Sequence, residues 1–124
     1  METYQTFPDD GLYKHEVVNL IEDMKANHGI SGYNDDPYED TQNDSPTVRE
    51  FLQIADQYGE ERIKYTGYII WPPRNDFRVS IDGFIITTSE CGDALALIIK
   101  YQAANEISYS QVAGEQFKVT FWWD

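Results

Sequence analysis

RIKYTGYIIWPPRNDFRVSIDGFIITT, residues 62–88, carries two runs rich in β-branched and aromatic side chains, separated by a proline-containing break. Such runs favour extended backbone, where branched side chains pack well on a pleated surface. In the second run Phe77, Val79 and Ile81 alternate with Arg78, Ser80 and Asp82, the period-two signature of a half-buried strand. Between the runs, PPRND at 72–76 predicts a turn, with the prolines at a margin where no ladder donor is needed. The stretch therefore predicts an antiparallel hairpin, strands at 62–71 and 77–88.

Downstream, EISYSQ (106–111) and QFKVTFWW (116–123) predict a second hairpin around VAGE, with Phe121 and Trp123 on one face and Trp122 on the other. The Ala-rich segment Asp93–Ala104 between the hairpins is apolar around most of its circumference, which suits a helix lying on a sheet. Upstream, residues 1–10 read as a loose or extended arm. Tyr13, Val17, Leu20, Ile21, Met24 and His28 then draw one stripe on a helix from about Leu12 to His28. Asp9 or Asp10 is expected to cap its start, and Gly29 to end it. A further helix is expected to open on Ser45 as cap with Pro46 in the first turn, and to stop at Gly59. Val48, Phe51, Leu52, Ala55 and Tyr58 would form its buried face.

The two hairpins resemble each other. ERIKYT (61–66) aligns with NEISYS (105–110) at an offset of 44, and DFRVSI (76–81) with QFKVTF (116–121) at an offset of 40. Together with their preceding helices they suggest an internal repeat, 46–88 and 90–123. The expected fold is α+β: an N-terminal helix, then two tandem helix–strand–strand units forming one mainly antiparallel sheet with helices on one face. One hairpin with one helix has too little core to stand alone, whereas two joined along an edge bury each other. A length of 124 residues suits a single small domain.

The charge is −13 and unevenly spread: residues 1–62 hold 15 Asp and Glu against 4 Lys and Arg, residues 63–124 hold 7 against 5. Phosphate contacts need cations, so direct nucleic-acid binding is not expected, nor is an anionic membrane surface. The field would instead steer a basic protein partner. One cysteine, Cys91, excludes an internal disulfide and fits a reducing, cytoplasmic setting. Apolar runs such as ALALII (94–99) are far shorter than a membrane span, and no secretory leader is expected.

Motifs for chemistry are scarce. Cys91 precedes a predicted helix, but the two histidines, His15 and His28, both lie on or beside the first helix, so no nucleophile–base pair is expected. DDPYEDTQND offers oxygen ligands but lacks the glycine of an EF-hand loop, and Pro37 interrupts it. No metal, cofactor or enzymatic activity is therefore expected.

The acidic loop 31–45, SGYNDDPYEDTQNDS, interleaves tyrosines with carboxylates and contains no Lys or Arg. Its composition points to a partner surface in which Asp35, Asp36, Glu39, Asp40 and Asp44 supply charge. Tyr33, Tyr38 and Trp71, the last on the hairpin tip, would supply apolar anchors. The resulting expectation is an inhibitor or immunity-type antagonist of a nuclease or other nucleic-acid-binding protein, with carboxylates standing where phosphates would lie. A homo-oligomeric structural subunit joined through strand edges or the FWWD end, and a small-ligand sensor, are the other classes the composition allows.

Overall fold

The computed structural model of the chain describes residues 3–29, 36–41, 45–112 and 114–123. The two runs of the opening stretch form β3 (Ile63–Ile70) and β4 (Arg78–Thr88), paired antiparallel with Ile63 opposite Ile86 and Ile70 opposite Arg78. Thr66 faces Gly83 but Gly67 faces Ile81, so Asp82 is an extra residue in β4. This bulge resets the alternation. Val79 and Ile81 point into the core before it, and Phe84, Ile86 and Thr88 after it. The sequence reading placed Asp82 in an unbroken alternation. A bulge leaves no such trace, because either strand is locally regular on both sides of it.

Two short strands precede the first helix, β1 (Tyr4–Thr6) and β2 (Leu12–Tyr13), and both pair antiparallel with β3 along its outer edge. The expected order, a helix preceded by a loose arm, is corrected accordingly. The arm's backbone groups complete a ladder that β3 would otherwise leave open. Phe7 anchors the strap between β1 and β2. Its amide donates to the Gly67 carbonyl at 2.9 Å, and a Cβ on Gly67 would stand 3.0 Å from its ring. Gly67 thus makes room for a buried aromatic.

Helix α1 (Lys14–His28) starts two residues later than expected, with Glu16 accepting from the Tyr13 amide at 3.0 Å. Asp10 instead pairs with Lys64 at 3.5 Å. Gly29 ends the helix at a positive φ of 81°, and Gly59 does the same for α2 (Val48–Tyr58) at 106°. The α2 cap is Thr47 rather than Ser45: the Glu50 amide donates to Thr47 Oγ1 at 3.1 Å, whereas Ser45 Oγ turns back to the Pro46 carbonyl. Helix α3 (Cys91–Lys100) begins and ends earlier than the Ala-rich composition suggested, and only its Ala94 and Leu97 are fully buried.

The chain closes with β5 (Glu106–Val112) and β6 (Gln116–Trp122). The sheet order is β1-β3-β4-β6-β5, with β2 also on β3, and every pairing is antiparallel. The fold is therefore α+β, with three α-helices and a six-stranded antiparallel sheet among the described residues. The buried sides of all three helices join one cluster with one face of the sheet. At its centre Phe84 stacks on Phe121 at 4.5 Å and meets Phe51, Tyr101 and Trp123 within 6.3 Å.

The helix–strand–strand order occurs twice, and β4 joins β6 between the hairpins. The residue matches do not survive pairing, however. Val79 faces Ile69, which at the sequence offsets would place Val119 opposite position 113, yet Val119 faces Tyr109. Strands built from a small alphabet align readily with a slip of register, and hydrogen bonding fixes the true one.

Candidate functional site

Of the residues that the sequence marked for partner contact, Tyr33, Asp35 and Asp44 lie outside the described residues. Asp36, Tyr38, Glu39 and Asp40 form a compact block around a single 3-10 turn, Pro37–Glu39. Asp36 caps this turn, its Oδ1 accepting from the Tyr38 amide at 2.9 Å. Arg49, in the first turn of α2, reaches back to both flanking acids, with Nε 2.8 Å from Glu39 and Nη2 2.6 Å from Asp36. The guanidinium also lies 5.6 Å from the centre of the Tyr38 ring. The Glu39 hydrogen bond, more than the Asp36 charge, holds the Arg49 proton more firmly than usual. Burial, then the charges of Glu22 and Asp36, pushes the Tyr38 hydroxyl above the ordinary phenol range.

Asp40 is buried at 7% exposure, and its carbonyl accepts the Val48 amide at 3.0 Å, tying the block to the start of α2. Two of the five marked acids are thus engaged by an arginine ten and thirteen positions downstream, and a third is turned inward. Composition could not reveal this, since Arg49 belongs to the next element.

Trp71 stands apart from that block. Its indole donates to Gln5 Oε1 at 3.2 Å, its amide donates to the Thr3 carbonyl at 2.8 Å, and it packs half-buried against the core. The hairpin tip beyond it is braced by Arg74 and Arg78 on Asp76. Some desolvation would raise the Asp76 carboxyl, but hydrogen bonds from Arg74 and Arg78 outweigh it and hold it below the usual carboxylate range.

Sequence reasoning passed over the sheet face turned away from the helices. There Thr66, Gly83, Trp122 and Glu106 stand side by side across β3, β4, β6 and β5. A cleft of about 330 Å³ opens at this row beneath the Phe7 strap. The available signal was that Trp122 alternates to the face opposite Phe121 and Trp123, without any indication of its neighbours. A second cleft, of about 380 Å³, lies on the other side of the strap against α1 and is lined by Leu12, Leu20 and Ile69 with Glu16 and Asp23.

Cys91 is exposed at the first residue of α3. His15 stacks beside Tyr13, and His28 lies edge-on to Phe77. Among the described residues no three His, Cys, Asp or Glu side chains converge as metal ligands, and no helix is long and apolar enough to cross a membrane. Compared with known proteins, the chain matches no protein family, no curated protein and no solved structure.

Proposed function

We propose that the chain is a non-enzymatic, acidic protein-binding module of the cytoplasm, an inhibitor or immunity-type antagonist of a basic nucleic-acid-handling protein. Inhibition would be occlusion, with surface carboxylates taking the places of phosphates against the partner's Lys and Arg. The observation that supports it is the charge balance after folding. Lys14, Lys25, Arg49, Arg62, Lys64, Arg74 and Arg78, seven of the nine basic side chains, are already paired with carboxylates within the chain. Few basic side chains are therefore left to compensate the remaining acids. Since Arg49 holds Asp36 and Glu39, a partner would meet them as part of a rigid, braced block rather than as isolated charges.

The test is a pull-down with tagged protein at low and high salt, followed by competition with duplex DNA and structured RNA. An antagonist retains a basic nucleic-acid-binding protein at low salt, loses it at high salt, and is displaced by the nucleic acid. Retention that nucleic acid does not disturb would refute occlusion.

A homo-oligomeric subunit is the second reading. It is favoured by Leu95 and Ile99, exposed at 52% and 66% on α3, and by edge strand β5, which carries no Lys, Arg or Pro. A dimer that persists through a salt series in sedimentation would support it.

A further inference from the structure

The cleft on the helix-free face is a built feature of the sheet. Gly83 sits between Thr66 and Trp122 in the cross-strand row, and a Cβ there would stand 2.1 Å from the Phe121 carbonyl oxygen. The row must therefore dip at this point, between a hydroxyl and an indole. The β4 bulge places Asp82 beside the dip, where its Oδ1 accepts from Thr66 Oγ1 at 2.7 Å. The bulge is itself held, because the Asp82 carbonyl accepts the Trp123 amide at 2.8 Å. On the far side Glu106 lies directly opposite Trp122, which keeps 37% of its surface exposed. Asp9 on the strap also lines the cleft.

Among the described residues the lining thus combines an accessible indole, three carboxylates and several hydroxyls, and includes no cationic side chain. Lys64, on this face of β3, is drawn off to Asp10 at 3.5 Å and to the Tyr13 ring at 4.8 Å. From this geometry we infer that the cleft receives an arginine side chain of a basic protein partner, its guanidinium lying on Trp122 and donating to Asp82 and Glu106. The inference rests on the antagonist reading and gives it a contact site that the acidic loop does not supply. Charge complementarity selects a cation. The planar indole beside two carboxylates selects guanidinium over ammonium, since only the former stacks and donates in a fork at once.

The probe is hexa-arginine, titrated at low salt into the whole chain and followed by tryptophan fluorescence and calorimetry, with hexa-lysine and a methyl glycoside as comparison ligands. Wild-type protein is expected to bind hexa-arginine several-fold more tightly than hexa-lysine, and the glycoside not at all. Glu106→Gln, on an edge strand where the fold tolerates change, should weaken hexa-arginine about tenfold, the size of one lost charge-assisted hydrogen bond. Trp122→Phe should remove most of the fluorescence response. Glu22→Gln removes the same charge from α1, on the opposite face, and should change binding less than about twofold, as expected of a distant screened charge.

If Glu106→Gln and Glu22→Gln weaken binding equally, the peptide follows the general field. The cleft is then refuted while the antagonist reading stands. Absence of hexa-arginine binding to wild-type protein at low salt overturns both. A glycoside that quenches Trp122 when hexa-arginine does not would reassign the cleft to a neutral, hydroxyl-rich ligand and overturn the arginine inference.

Discussion

The hydroxyl of Tyr65, in the middle of β3, donates to the backbone carbonyl of Phe51 in α2. The same oxygen accepts from the Ala55 amide at 3.3 Å, so a sheet residue engages the acceptor and donor of one helical turn. Tyr65 is fully buried, and its ring meets Phe51 edge-on at 6.4 Å. Sheet and helix are thus locked by one side chain that satisfies its polar atom without water.

Tyr65→Phe should keep the packing but lose both hydrogen bonds, costing about 1–2 kcal/mol of stability. Urea unfolding would show this as a lower midpoint with an unchanged slope. A midpoint equal to wild type would mean that the helix closes its own turn at no loss.

Tyr65 also sets an alkaline limit. Burial, outweighing the Ala55 amide bond, pushes its hydroxyl well above the phenol value of 10.0. The folded state therefore keeps a proton that the unfolded chain gives up first. Stability from this group is complete below pH 10 and falls as pH rises from there toward the folded value. Thermal unfolding between pH 9 and 11 should show a decline that is shallower in Tyr65→Phe, a window that begins about one unit below the free phenol value.

Gly83 and Gly92 give opposite forecasts for the same change. At Gly83 a methyl group meets the Phe121 carbonyl oxygen at 2.1 Å, and the β4–β6 pairing has to part to admit it. Gly83→Ala should cost about 1–3 kcal/mol or more, the range of overpacking. At Gly92 nothing lies within 4 Å and φ is not positive, so Gly92→Ala in α3 should be neutral or stabilise by up to about 1 kcal/mol. Paired melting curves decide both.

Phe84→Ala removes the ring at the centre of the aromatic cluster and should cost about 3–5 kcal/mol, enough to unfold a marginal domain. Because Trp123 lies 6.3 Å from it, the change should also shift tryptophan emission to the red in any protein that remains folded.

Arg49→Ala tests the braced block. Both its ion pairs lie on the surface, so the melting temperature should fall slightly at low salt and match wild type at high salt. Asp36 and Glu39 lose their internal partner, and binding of a basic protein should strengthen at low salt. Weaker binding would show that the block's shape, rather than its charge, is what a partner meets.

Much of the fold was legible because it is written in local rules. The alternation of QFKVTFWW set Phe121 and Trp123 on one face and Trp122 on the other, and the structure buries the first two and leaves Trp122 partly exposed. Gly29 and Gly59 end their helices at positive φ, where other residues are strained. The stripe of α1 buries Val17, Ile21 and Met24. The site was legible only as composition. The acidic segment was visible, but not that Arg49 would clasp two of its carboxylates or that Asp40 would turn inward.

By itself the sequence determined the three α-helices and the four longer strands, because these follow from periods of two or three to four residues, but neither β1 and β2 nor the change of face at Asp82. Only the tertiary structure decided what lies beside what. The pairing of β4 with β6, the bulge at Asp82 and the row Thr66–Gly83–Trp122–Glu106 depend on register between distant segments. That register is chosen by how whole faces pack together, which no single stretch of chain encodes.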